Sequence, residues 1–328
     1  VRAAPYAVLF RCEAGGGVGF GHLSRCLALA EALGSRAACR FALEGDDAAA
    51  RALVTAAGFA LGGGSADAVV FDGYGFADAA ISAARGGGAP APVIAVIDDF
   101  GGRAIDCDIM ISPGAQRSAG DWRVPPGCMF LLGPRHALLR GAFTPAPPPG
   151  RVVSRLLLGF GGTDAGDATA RMLALLPPGL EVDVLLGPGY RGHATGGNGI
   201  TLHRNLAAEA VARLMAGADA AITAPGVMAL ELIAIARPVL LFALTDQQRE
   251  VGSALADAGL AADGGMMAGQ DDAAMRAALA RFLADDGGRA AMVQAAARTD
   301  AAGGARRVAA ALLAALAERA RLAQETGP

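Results

Sequence analysis

From residue 6 to residue 113 the chain repeats one unit: a short apolar run of strand length, a turn, then a stretch with helical periodicity. The runs are YAVLFRC (6–12), ACRFAL (38–43), DAVVFDGY (67–74), PVIAVIDDF (92–100) and DIMISP (108–113). Between the first three lie HLSRCLALAEALGS (22–35), apolar at 23, 26, 27, 30 and 33, and DAAARALVTAAG (47–58). Such alternation specifies strands joined by helical crossovers, hence a parallel, doubly wound α/β sheet. Ligands of such sheets sit beyond the carboxyl ends of the strands. Those ends carry the segment from Arg11 to His22, then Asp72 and Tyr74, then Asp98 and Asp99.

The four prolines of TPAPPPG (144–150) stop this pattern, and it restarts beyond them. RLLLGFGG (155–162), EVDVLLG (181–187), AAITAPG (220–226) and RPVLLFAL (237–244) are the second set of runs, with alanine-rich helices among them. The expected organisation is an N-terminal domain over 1–143, a linker over 144–150 and a C-terminal domain over 151–328. Two doubly wound sheets then face each other across a cleft. The alanine/leucine stretch from Asp300 to Gln324 reads as a long final helix, counted with the second domain.

Composition removes several kinds of chemistry. Hydrophobic residues make up 53% and charged residues 18%, enough for well-buried cores, and the formal charge of −3 lacks the basic face that nucleic acid requires. The sequence contains no lysine; its 28 basic residues are all arginine. Schiff-base lysine chemistry and a Walker A lysine are therefore excluded. Cys12, Cys26, Cys39, Cys107 and Cys128 are scattered, odd in number and without a C-x-x-C pair, the pattern of reduced thiols rather than of disulfides or zinc. Neither a signal-peptide apolar region nor an uninterrupted membrane span is read, so a soluble, cytoplasmic chain is expected. A monomer with neither nucleic-acid nor membrane partner completes that expectation.

The segment EAGGGVGFGHLSRC (13–26) places five glycines before His22. As a dinucleotide fingerprint it is incomplete: Phe20 interrupts the spacing, and Glu44 is the nearest acidic residue beyond the second strand. A glycine loop entering a helix does expose backbone N–H groups at the positive end of the dipole, where developing negative charge is stabilised. The same dipole favours a neutral imidazole, which offers His22 as a general base. A solvent-facing first-turn histidine would fit the same sequence.

Six blocks of residues, in order, resemble one family. Arg11-x-Glu13, then Val18-Gly19-Phe20-Gly21-His22-x-x-Arg25-Cys26, matches the opening of the UDP-sugar hydrolases of pseudaminic acid biosynthesis, the PseG/SpsG family. Asp72-x-Tyr74, Ile97-Asp98-Asp99 with Arg103 and Asp108, Leu132-Gly133-Pro134 with Ala137-Leu138-Leu139-Arg140, and Phe160-Gly161-Gly162-Thr163-Asp164 follow. Asn205-Leu206, Ala218-Asp219, Gly226 with Glu231, and Pro238 extend the resemblance to about residue 260. It implies a GT-B fold, similar to that of MurG-type glycosyltransferases, with the nucleotide held by the second domain. It also implies cleavage of the anomeric C–O bond of UDP-2,4-diacetamido-2,4,6-trideoxy-β-L-altrose to UDP and free sugar, with no metal and no cofactor. His22 then acts on the water. Arg11, Glu13, Gly19, Gly21, Arg25, Asp72, Tyr74, Asp98, Asp99, Arg140, Gln247 and Gln248 would contact substrate. Gly161, Gly162, Thr163, Gly226, Val227 and Glu231 would hold the nucleotide, Glu231 through the ribose hydroxyls.

Several of these residues have plainer readings. Asp98-Asp99 could be a metal pair, but adjacent residues at a strand end point apart. Asp72 could cap the next helix, Tyr74 could be an interface aromatic, and Arg25 and Arg140 could be surface charges. His136 stands where the family has tyrosine and reads as structural, while His193 and His203 read as loop residues. Trp122 could stack on a sugar or pack. The donor half departs from the family: Val227, Met228 and Ala229 replace three hydroxyl residues, Pro225 removes a backbone donor, and Gln247-Gln248 replaces Asn-Gln. A glycosyltransferase using the same kind of donor, and a nucleotide-sugar-binding protein without turnover, are the alternatives.

Overall fold

The computed structural model describes residues 5–15, 19–86, 91–164, 166–187 and 189–325, in two compact units. One unit takes the chain up to Arg140 together with the residues from Gly303 onward; the other is Gly141–Ala302.

The first unit runs β1 (Tyr6–Glu13), α1 (Gly21–Leu33), β2 (Ala37–Glu44), α2 (Ala48–Ala56), β3 (Ala60–Leu61), β4 (Ala68–Asp72), α3 (Asp78–Ala83), β5 (Val93–Ile97), β6 (Ile109–Ser112) and β7 (Met129–Leu132). Its seven strands are parallel in the order β3-β2-β1-β4-β5-β6-β7. β4 and β5 are buried along their whole length, as continuous apolar runs with helices on both faces should be. The register sets Cys12 beside Asp72 and Asp72 beside Ile97. Asp72 thus ends the central strand, with a neighbouring strand on each side.

The second unit runs β8 (Arg155–Gly159), α4 (Ala168–Leu173), β9 (Glu181–Leu186), β10 (Ile200–Arg204), α5 (Ala208–Gly217), β11 (Ala220–Thr223), α6 (Val227–Ile235), β12 (Val239–Ala243), α7 (Asp246–Asp257), β13 (Ala262–Met266), α8 (Asp272–Ala284) and α9 (Asp286–Thr299). Its six parallel strands lie in the order β10-β9-β8-β11-β12-β13. The sequence reading left the edge strands β7, β10 and β13 unassigned. β13 is ADGGM, in which Gly264 lies so close to the Phe242 ring that a side chain there would collide with it. The Pro-rich segment is tied to the second unit: Ala146 N–H donates to the Ile235 carbonyl (3.2 Å), and Arg237 donates to the Pro147 carbonyl (2.8 Å). The passage between units therefore lies at Arg140–Gly141, just before the prolines.

The final helix, α10 (Gly304–Glu325), corrects the expectation that it belongs with the second domain. Its Val308, Leu312 and Leu316 join Leu23, Leu27 and Val8 in the core of the first unit. Arg307 donates to the Arg135 carbonyl (2.9 Å), and Arg319 pairs with Asp108 (2.8 Å). Gly304 starts the helix in such close approach to the Ala137 backbone that any side chain would overlap it. Among the described residues no helix is long and apolar enough to cross a membrane.

Leu312 is 1% exposed. Leu312→Ala is expected to destabilise the first unit by about 2–5 kcal/mol, the usual cost of emptying a buried leucine site. In hydrogen exchange, protection should fall in β1 and α1 and stay unchanged in α8 and α9, the helices that precede α10 in sequence.

Candidate functional site

Helix α1 begins with Phe20 as its N-cap residue, without a side-chain cap and without an acidic residue in its first turn. The first N–H groups of the helix are therefore not satisfied by a capping side chain. In the loop before it, Gly15 N–H donates to the Gly19 carbonyl (2.9 Å). Gly16, Gly17 and Val18 of the glycine run lie outside the described residues. The H-x-x-R-C spacing puts His22, Arg25 and Cys26 on one face of α1, since residues three and four apart stack on a helix. That face meets the end of β4.

There Asp72 is fully buried and accepts from every side. His22 Nδ1–H donates to Oδ1 (2.7 Å), while Arg25 donates from Nε to Oδ2 (3.0 Å) and from Nη2 to Oδ1 (2.6 Å). The remaining arm of Arg25, Nη1, donates to Asp99 Oδ2 (2.6 Å). Arg25 Nη2 and His22 Nδ1 are only 2.9 Å apart because both converge on the same carboxylate oxygen. A carboxylate only accepts, so Nδ1 carries a proton, and Nε2 has no hydrogen bond to any described residue. Burial works against the Arg25 cation, but Asp72 and Asp99 outweigh it and hold the guanidinium charged well above its ordinary range. Arg25 is thus a buried ion-pair partner rather than a surface charge.

The His22 ring meets Tyr74 edge-on, centroids 4.4 Å apart, and Tyr74 in turn meets Phe100 edge-on at 4.5 Å. Tyr74 is 45% exposed and Phe100 39%, so a small aromatic surface stands beside the histidine. Glu13 sets the Tyr74 loop. Its carboxylate accepts from the Tyr74 N–H (2.7 Å) and the Gly75 N–H (2.8 Å) and occupies the space a side chain at Gly75 would need. Asp72 caps no helix: α3 starts after Ala77 and has no side-chain cap.

Other expected contact residues have structural partners. Arg11 pairs with Glu44 on β2 and lies over the Phe71 and Phe76 rings, 5.4 and 5.3 Å from their centroids. Asp98 and Asp99 do diverge: Asp98 accepts from Trp122 Nε1–H (2.5 Å) and the Gly101 N–H (3.0 Å), whereas Asp99 turns to Arg25. Trp122, 5% exposed, packs and orients Asp98 instead of offering a face to a sugar. The Asp99 carbonyl accepts from Gln116 (3.2 Å) and Arg117 (3.0 Å), two supports that the sequence reading missed because they lie between its blocks. Arg140 is half-buried. His136 donates Nδ1–H to the Leu132 carbonyl (2.7 Å), a structural role, and burial lowers its pKa.

In the second unit, Gly161, Gly162 and Thr163 form the turn after β8, and the Gly162 carbonyl accepts from the Gly189 N–H (2.9 Å). Asp164 closes the turn by accepting from the Ala168 and Thr169 N–H groups (2.9 and 3.1 Å). Gly226 is the exposed N-cap residue of α6, again without a side-chain cap; Val227 follows it, and Glu231 is buried one turn on in an otherwise apolar helix. Gln248 is occupied, accepting from the Leu244 N–H (2.8 Å) while its own N–H donates to Thr245 Oγ1 (3.2 Å). The Gln247 side chain makes no hydrogen bond to a described residue. His203, read as a loop residue, lies on β10, with Nε2 2.7 Å from Asp183 Oδ1. Among the described residues no group of three or more His, Cys, Asp or Glu side chains could hold a metal ion.

Removing one partner of a buried ion pair costs about 3–5 kcal/mol, because the other charge is left uncompensated. Arg25→Leu is expected to lower unfolding free energy by that amount in urea. Arg25→Leu combined with Asp72→Leu should recover a large part of it, whereas simple addition of two losses would show that the pair is not coupled.

No family model matches the chain, and no curated protein matches its sequence. Solved structures do match. The glycosyltransferase of kitacinnamycin aligns with TM-score 0.67 at 14% identity, over 95% of this chain and 99% of that one. Spinosyn forosaminyltransferase SpnP aligns with TM-score 0.67 at 14% identity, over 96% and 100%. Spinosyn rhamnosyltransferase SpnG, complexed with thymidine diphosphate, aligns with TM-score 0.62 at 15% identity, over 94% and 99%. At such identities the likeness is one of fold, and with two parallel-sheet α/β units the chain has the GT-B fold.

Proposed function

We propose that this protein transfers a glycosyl group from a nucleoside-diphosphate sugar to an acceptor hydroxyl, with His22 as the general base. The observation that carries the reading is the His22–Asp72 bond: it holds the buried imidazole by Nδ1, leaves Nε2 without a hydrogen bond to a described residue, and does so at the N-terminus of α1, beside an exposed aromatic pair. Asp72 keeps the productive tautomer and steadies the imidazolium that forms as the hydroxyl loses its proton. Arg25 in turn holds the Asp72 carboxylate in place through a hydrogen bond to each oxygen. Tyr74 and Phe100 suit the apolar face of an acceptor ring, and the uncapped turn of α1 suits developing negative charge. The nucleotide is assigned to the turn after β8 and to the segment from Gly226 to Glu231, where backbone N–H groups stand in for the hydroxyls absent at 227–229. The GT-B transferases of known structure that bind thymidine diphosphate support a nucleotide-sugar donor.

A second reading has water as the acceptor: hydrolysis of a UDP-diacetamido-trideoxy sugar, as in the PseG/SpsG family. What favours it is that His22, Arg25, Asp72 and Asp99, taken from three separate sequence blocks of that resemblance, form one bonded cluster.

Incubation with UDP- and dTDP-sugars, with and without hydroxyl acceptors, separates the two. Transfer predicts a glycoside that forms only with acceptor, and hydrolysis predicts free sugar without it. Absence of nucleotide release from every donor overturns both. His22→Ala should reduce turnover by about 10²–10⁴-fold, the usual contribution of a general base, with nucleotide affinity unchanged by calorimetry. Undiminished turnover would remove His22 from this role.

A further inference from the structure

Of the five cysteines, Cys12, Cys26 and Cys39 are buried in the β1–α1 core of the first unit. Cys107 and Cys128 stand apart from them. Cys107 immediately precedes Asp108 and β6, Cys128 immediately precedes β7, and the parallel register Ile109–Met129 brings the two side by side. Their Sγ atoms are 3.7 Å apart. Cys107 is 1% exposed, and Cys128 is half-buried and reaches solvent. The pair therefore has an accessible thiol and a sheltered one within reach of it. The hydrogen bond between the two thiols draws Cys128 below its ordinary range, and the same bond, together with burial, pushes Cys107 up. These directions match the roles of an attacking and a resolving thiol.

We propose that Cys128 and Cys107 form a thiol–disulfide exchange site for low-molecular-weight disulfides of the glutathione type. The Cys128 thiolate attacks one sulfur of the oxidised disulfide; its S–S bond breaks and one thiolate leaves. Cys107 then attacks the Cys128 sulfur and expels the second thiolate, which takes up the Cys107 proton. The two protein thiols are oxidised to one intramolecular disulfide, and one external disulfide is reduced to two thiols. A covalent S–S bond is about 2 Å long, so closing the pair needs a small side-chain approach rather than a rearranged sheet.

The location gives the reaction a consequence. Residues 107–128 include Gln116 and Arg117, which hold the Asp99 carbonyl, and Trp122, which holds the Asp98 carboxylate. Oxidation closes a covalent loop around the supports of the strand end that faces Arg25. In a reducing compartment such a bond is transient, as redox-responsive disulfides are.

The full chain is treated with oxidised glutathione, and remaining thiols are alkylated with iodoacetamide in denaturant before peptide mass mapping. The expected product joins Cys107 to Cys128, two hydrogens lighter, with Cys12, Cys26 and Cys39 alkylated. Cys107→Ala should accumulate a glutathione adduct at Cys128 that dithiothreitol removes, and Cys107→Ser gives the same readout if alanine unfolds the chain. Five alkylated thiols, a lasting adduct on Cys128 of the unsubstituted chain, or a disulfide to any other cysteine would overturn the proposal.

Discussion

A carboxylate with no exposure at the end of a central strand has to be neutralised where it stands, and much of the first unit is arranged around Asp72 for that reason. Water cannot solvate it, so Arg25 forks onto both oxygens and His22 takes the remaining direction. Both come from α1, and their three-residue spacing sets the rotation of that helix about its axis. Once the rotation is set, Leu23 and Leu27 belong to the core that α10 completes, so the charged cluster and the apolar packing constrain the same helix. The orientation of the His22 ring, with Nδ1 bound to Asp72, follows from satisfying a buried charge and needs no separate device.

The members of the Asp72 cluster were legible only in part: strand periodicity places His22, Asp72 and Asp99 at strand ends, whereas Arg25 is singled out by the family resemblance alone, and the bonds that join the four are set by tertiary packing. The partners of individual side chains were less legible. Glu13, Arg11 and Asp98 occupy strand ends as expected, yet their charges are directed to the Tyr74–Gly75 backbone, to Glu44 and to Trp122. A strand end places a residue near the ligand side of a sheet; it does not say whether the side chain meets a ligand or braces the loop that does. That choice depends on loops such as 114–122, whose sequence carries no period to read.

The final helix illustrates another limit. Its apolar stripe says that one face is buried but not against what, and chain order assigns it to the second domain. Contact with α1 is decided by tertiary complementarity, including the space that Gly304 leaves for the Ala137 backbone. Likewise β10 and β13 are obscure because edge strands need little continuous hydrophobicity, and in β13 two glycines weaken strand propensity, one of them, Gly264, making room for Phe242.

The two units differ in how their polar groups are used. In the first, charged side chains form a closed set of bonds around one imidazole. In the second, the segment proposed to receive the nucleotide is poor in side-chain donors: Val227, Met228 and Ala229 follow an exposed Gly226, and no side chain caps α6. On the proposed reading, recognition of the diphosphate there rests on backbone N–H groups and the helix dipole, which bind phosphate without discriminating the rest of the donor. Selectivity for the sugar and the acceptor would then fall chiefly to the first unit, where His22, Tyr74 and Phe100 offer one base and two aromatic edges. A chain arranged this way can tolerate variation in its nucleotide half more readily than any change that disturbs Asp72.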